Sequence, residues 1–246
     1  MKSLSSRARW FILGISAAGT ITLISQLYAL ATLAPNWPML AICCVLAIPL
    51  QVLKIEGVTA RTSYNLGWIM YGFAFLNLGA PAAMMVILVA HLVEWAWHRY
   101  PWYIQVFNIA TFSIAVWLAG ALYHLLDPNW APPHVGNILP IVLAFGLLTL
   151  VNHLLVGCVI YLARNQSFSE SGVMAFEAWL IDFGLLGLGV IAAIIAEVNP
   201  LALLLVTLVV SMLYRALLVP SLRRQTEVDP KTNVYNASYF NARMAD

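Results

Sequence analysis

The stretch 138–163, "ILPIVLAFGLLTLVNHLLVGCVIYLA", carries one imidazole and no formally charged side chain. As a helix rising 1.5 Å per residue it is long enough to cross about 30 Å of hydrocarbon. Breaks at Pro, Gly, Asn and charged clusters delimit seven more apolar segments of roughly spanning length, at 10–33, 37–53, 64–78, 81–97, 103–126, 173–196 and 201–218. The segment 64–78 is the shortest of them. The whole chain has the same character, with 62% hydrophobic and 9% charged residues and a mean hydropathy of +0.86. That balance excludes a water-soluble domain of 246 residues. The expected fold is an all-α polytopic membrane protein with about eight transmembrane helices and membrane lipid as its principal surroundings.

A net charge of +2, spread thinly, excludes a nucleic-acid surface, which needs clustered Lys and Arg. Cys43, Cys44 and Cys158 lie inside apolar runs, away from any disulfide or zinc-binding spacing. The opening "MKSLSSRARWFILGISAAG" has the basic start of a signal peptide, and Ala29-Leu30-Ala31 imitates a cleavage site. Its apolar run outlasts a signal core, so the reading is an uncleaved first spanning helix.

The charges orient the bundle. Lys and Arg in short connectors favour the cytoplasmic side. Lys2, Arg7 and Arg9 precede the first segment, Lys54 and Arg61 follow the second, Arg99 the fourth, Arg164 the sixth, and Arg223 and Arg224 the eighth. The alternate connectors, "APNW", "LGAP", "DPNWAPPHVGN" and "EVNP", contain no Lys or Arg. Both termini are therefore expected in the cytoplasm, and losing the short 64–78 crossing would invert every later loop. Trp37, Trp97, Trp102, Tyr103 and Trp130 sit at expected boundaries, where amphipathic rings act as interfacial anchors.

After the last apolar segment comes "DPKTNVYNASYFNARM" (229–244), polar and rich in turn-forming residues. It resembles the opening of a GGDEF domain, the diguanylate cyclase fold that makes cyclic di-GMP, which typically begins D-x-L-T-G-L-x-N-R-R-x-F after a signalling helix. Asp229, Thr232, Asn236 and Phe240 match that line, and Pro230, Tyr235 and Tyr239 are common variants at their positions. Lys231, Asn233, Val234, Ala237 and Ser238 depart from it. The resemblance implies that Asn236 is the guanine-contacting residue, that the output domain uses GTP and Mg, and that the protein works as a homodimer in the bacterial inner membrane. The metal-binding carboxylates and the glycine-rich turn of that family are not in this sequence, so no catalysis is expected from it. The expected division is a membrane sensor over 1–218, a linker or signalling helix over 219–228 and the beginning of a truncated GGDEF-like domain over 229–246. The parent would be a diguanylate cyclase, or a degenerate GGDEF joined to a phosphodiesterase. "HRYPWYIQVFNIA" (98–110) is loosely similar to the MASE-type sensor regions that precede such outputs.

Ionisable residues inside spanning segments are costly and are functional candidates by default. His91, Glu94 and His98 share a face of the fourth segment; Asn108 lies on the fifth, Asn152 and His153 on the sixth, and Asp182 on the seventh. All fall toward the expected cytoplasmic half and so could converge. One reading is a polar pocket in which His91 and His153 titrate or bind a metal, haem or small ligand, with Asp182 as counter-charge. The other is interhelical hydrogen bonding, worth about 0.6 kcal/mol per contact. Glu94, about one turn from the boundary, could reach Arg99 or snorkel to water. Gly184, Gly187 and Gly189 are expected to permit close helix packing. The connector "DPNWAPPHVGN", with Trp130 and His134, reads as a simple join or as the cover of a ligand entrance. Three functions remain open: a sensor for an unknown small-molecule ligand that regulates a cytoplasmic output, a small membrane transporter or substrate-capture subunit, and a scaffold that only anchors or dimerises a partner.

Overall fold

The structure is a computed structural model that describes residues 4–33, 35–52, 55–56, 63–133, 135–199, 208–210, 212, 214, 216 and 234–235. Eight helices have defined bounds: α1 (Ser6–Leu33), α2 (Trp37–Val52), α3 (Gly67–Leu78), α4 (Ala80–His98), α5 (Trp102–Leu126), α6 (Ile138–Arg164), α7 (Phe168–Ser171) and α8 (Phe176–Val198). Between α2 and α3 a minimal antiparallel pair forms from β1 (Ile55–Glu56) and β2 (Ser63–Tyr64), with Ile55 opposite Tyr64 and Glu56 opposite Ser63. The first seven apolar segments of the sequence thus become helices. The eighth lies largely outside the described residues, although 208–210, 212, 214 and 216 are helical. The linker 219–228, His134, Lys54, Arg61 and Asn236 also lie outside them.

Helix starts follow local hydrogen bonding. Ser5 Oγ accepts from the Ala8 amide at 3.2 Å and Asn36 Oδ1 from the Met39 amide at 3.1 Å, which caps the orphan donors of α1 and α2. The α3 helix begins at Gly67, later than the apolar run suggests. Ser63 and Tyr64 are held in β2, and Asn65 Oδ1 accepts from the Gly67 amide at 2.8 Å. The α7 turn is closed by a capping box between Ser167 and Glu170 and ended by Gly172 at φ +69°.

A single residue joins α3 to α4. Gly79 sits at φ +89°, ψ 166°, a region essentially reserved for glycine, and Pro81 follows at the start of α4. Its amide closes α3 on the Phe75 carbonyl at 3.0 Å, and its own carbonyl accepts from Ala83 at 3.1 Å to open α4.

Among the described residues five helices, α1, α4, α5, α6 and α8, are long and apolar enough to cross a membrane; α2 and α3 are apolar but shorter. The shortest of these seven occupies the centre. Every residue from 67 to 77 is buried, and α2, α4 and α8 surround the helix. Glycines let the backbones meet: a Cβ on Gly189 of α8 would lie 2.4 Å from the Ile69 carbonyl oxygen, and one on Gly72 of α3 would lie 2.9 Å from that of Leu186. Gly19 of α1 likewise abuts Ala110 of α5. Gly184 and Gly187 have nothing within 4 Å of a built Cβ, so the expected close packing is confined to Gly189. The outer surface carries exposed Trp10, Ile21, Ile24 and Tyr28 on α1.

Trp37, Trp97 and Trp102 are exposed, but Trp130 is not an interfacial anchor. It is buried against Tyr123 (ring centroids 4.4 Å apart) and stacks on Phe75 at 6.0 Å, so the 127–137 connector plugs the end of the core.

Replacing Gly79 by Ala should destabilise the protein by about 1–3 kcal/mol, because the corner excludes a Cβ-bearing residue. Gly146→Ala, on a helical site with open space, should leave thermal unfolding in detergent unchanged or raise it slightly.

Candidate functional site

Four of the sequence candidates, His91, Glu94, His153 and Asp182, fall into two polar clusters on different helices. The first is built around Gln51 near the end of α2. Its Nε2 donates to Glu94 Oε2 at 2.7 Å, while its Oε1 accepts from Tyr71 OH at 2.6 Å and from Asn65 Nδ2. Gln105 of α5 approaches the same carboxylate at 3.4 Å, stands 3.2 Å from His91 Nδ1 and donates to the His91 carbonyl. His91 Nδ1 is also 3.3 Å from Glu94 Oε2. Four helices and the β2–α3 turn are therefore clasped by one network, whose members Gln51, Glu94, Gln105 and His91 are all buried. Gly67 sits against it, since a Cβ there would lie 2.9 Å from Gln51 Oε1 and 3.0 Å from Tyr71 OH.

Glu94 accordingly does not reach for Arg99 or water. It is 1% exposed, whereas Arg99, in the left-handed region at φ +53°, closes α4 and points outward. The reason is geometric: i to i+3 spacing puts Glu94 on the face of His91, and the amides of Gln51 and Gln105 approach its Oε2 there at 2.7 and 3.4 Å. His98 lies outside the clasp, exposed and stacked on Tyr100.

The second cluster joins α6 to α8. His153 Nδ1 is 2.7 Å from the Val173 carbonyl and its Nε2 is 2.9 Å from Asp182 Oδ2. A carbonyl can only accept, so Nδ1 carries a hydrogen. One further proton then lies between Nε2 and the carboxyl group, either as imidazolium with carboxylate or as imidazole with carboxylic acid. Val173 lies in the α7–α8 connection, and α7 before it packs on α6, with the Phe168 ring where a Cβ on Gly157 would be 2.4 Å from Cε1. His153 thus satisfies a non-helical carbonyl brought against the bundle, the condition under which irregular backbone is tolerated at membrane depth.

Asn152 joins neither cluster; its Nδ2 reaches Thr111 Oγ1 of α5 at 3.4 Å. Asn108 is half-buried and contributes its main-chain carbonyl to Thr111 Oγ1 at 2.9 Å. The candidates do not gather at one point: they take part in separate contacts of α4, α5, α6 and α8. Among the described residues no three potential metal ligands of the His, Cys, Asp and Glu types gather. Sequence reasoning missed Gln51, Asn65, Tyr71 and Gln105. An uncharged amide inside an apolar run, as in "IPLQV" and "WYIQVF", was the available signal.

At the other end of the bundle is a partly open cavity of about 920 Å³, a size suited to a small ligand. Asn36, Gly79, Pro132 and Glu197 line it, so the four connectors free of Lys and Arg meet around one space. Asn77 and Leu78, at the end of α3, form part of the wall. The opposite end of α3 holds the clasp through Tyr71 and Gly67. The connector 127–137 is therefore more than a join; Val135 N donates to Glu197 at the cavity's edge.

These features define a helical membrane protein with a polar clasp at one end and a cavity at the other. In comparisons with protein-family models, with curated proteins and with solved structures, the chain matches none.

His153→Leu should cost about 1–3 kcal/mol, because it strands the Val173 carbonyl and the Asp182 carboxyl. In the double variant His153→Leu, Asp182→Leu the penalty should shrink below the sum of the single losses, measured by thermal unfolding in detergent as a double-mutant cycle.

Proposed function

We propose that the chain is the membrane-embedded sensory region of a bacterial signalling protein, with eight crossings, both termini in the cytoplasm and a GGDEF-type output beginning near Asp229. The observation that carries this reading is α3. One buried helix has its C-terminal residues in the cavity wall and its N-terminal residues in the Gln51–Glu94 clasp. A ligand that favours one packing of α3 can bias the clasp, provided it binds the two packings with different affinity.

The tail supports the same reading. It follows the last apolar segment, on the side that the basic connectors assign to the cytoplasm, where cyclic di-GMP chemistry would take place. The family resemblance adds a homodimer, GTP and Mg for the output and Asn236 as a guanine contact, and it leaves this chain without a catalytic role. A transporter or substrate-capture subunit is the second reading, favoured by the cavity alone.

The gene's whole product, purified from native membranes, should have an intact mass well above the 27.1 kDa of this chain. Its conversion of GTP to cyclic di-GMP, or its breakdown of cyclic di-GMP, should change severalfold in Gln51→Leu, which removes the hub of the clasp. A product of 27.1 kDa that leaves cyclic di-GMP unaltered would refute the sensor reading. Solute flux in proteoliposomes would then favour the transporter.

A further inference from the structure

We infer that the connector-end cavity binds an uncharged aromatic molecule that carries a hydroxyl or N–H donor. Among the described residues no Lys or Arg lines the cavity, so an anion would find no counter-charge there. Its carboxylate, Glu197, is already engaged by the Val135 amide and is not left for a cation. The hydrogen-bonding groups left over are neutral. Asn77, near the end of α3, is buried, and its Nδ2 faces the Phe73 carbonyl at 3.4 Å. A carbonyl only accepts, so the amide is oriented with its nitrogen on that side and Oδ1 on the other. Oδ1 has no partner among the described residues, and Asn77 lines the cavity, so a ligand donor meets an acceptor there.

Gln26 of α1 is the second such group. It shares the inward stripe of that helix with Leu23 and Leu30, both buried, whereas Ile21, Ile24 and Tyr28 on the other side are exposed. Its carboxamide lines the cavity and makes no hydrogen bond to any described residue. The aromatic body of the ligand follows from Trp117 of α5, which lines the same space and is 46% exposed. Its indole meets no other ring among the described residues, unlike Trp130, which is packed on Phe75 and Tyr123. Aromatic pairs contribute beyond the area they bury, so a ring seated on Trp117 is favoured over an aliphatic body. Because Asn77 belongs to the central helix, occupancy touches α3 directly. The coupling of occupancy to the clasp rests on the sensor reading; the binding itself does not.

Equilibrium binding of tritiated para-phenylphenol to the whole chain in lipid nanodiscs, with empty nanodiscs subtracting its partition into lipid, tests the assignment. Binding should saturate, and para-methoxybiphenyl, which keeps both rings and loses the donor, should compete at least about tenfold more weakly. Biphenyl carboxylate, which adds a charge, should also compete at least about tenfold more weakly. Gln26→Leu removes a group without a hydrogen bond in the protein, so it should weaken the phenol severalfold and leave the unfolding temperature unchanged. Asn77→Leu should bring the phenol and its methyl ether to equal affinity. No saturable binding above empty nanodiscs, as for a cavity filled by bilayer lipid only, would overturn the proposal. So would a methyl ether or a carboxylate that competes as well as the phenol, or a phenol affinity unaltered in both variants. Because the assay reads occupancy and involves no output domain, it can succeed where the cyclic di-GMP experiment fails, and the reverse.

Discussion

The enclosure of α3 by α2, α4 and α8 is the constraint on which the rest of the structure depends. At about 18 Å long, this helix is too short to cross the hydrocarbon alone. Its ends must therefore be completed by other parts of the chain. In lipid there is little hydrophobic drive to hold such a helix inside a bundle, so contact distance and hydrogen bonding do the work. Gly72 and Gly189 bring the α3 and α8 backbones into direct contact. Gly79 turns the chain in one residue so that α4 packs back along α3.

The polar residues follow from the same constraint. Where α3 starts, the backbone leaves a β-pair and enters a helix, and Asn65, Gln51 and Tyr71 close the local hydrogen bonds on one another and on Glu94. Where the α7–α8 connection folds against α6, His153 takes up the Val173 carbonyl and Asp182 takes up His153. The second cluster thus serves a non-helical carbonyl, whereas the first joins side chains of four helices. The first has a further consequence. It shares α3 with the cavity, since Tyr71 belongs to the clasp and Asn77 and Leu78 to the cavity wall.

Much of the fold was legible from apolar run length. The 138–163 run and its neighbours mark α1, α2, α4, α5, α6 and α8 to within a few residues, because spanning length and Pro, Gly or Asn breaks are local properties. The delayed start of α3 was not legible, since it depends on the pairing of Ser63 and Tyr64 with β1. For the polar residues, spacing placed His91 beside Glu94 correctly. It could not show that Gln51 and Gln105, from other helices, would enclose that pair, or that Trp130 would turn inward. Those are tertiary facts without a periodic signature. The convergence of the four connectors free of Lys and Arg around one cavity agrees with the alternation of charge along the chain, which reads topology without reading contacts.

Hydrogen–deuterium exchange of the whole chain in lipid nanodiscs, resolved over residues 67–78, tests the enclosure of α3 most directly. Protection should be as strong throughout α3 as in the middle of α6, including the first turn beside Gln51, because packing and the clasp shield amides that length alone would leave at a fraying end. Exchange in α3 as fast as in the 127–137 connector would contradict a buried central helix. The coupling of cavity to clasp would fall with it.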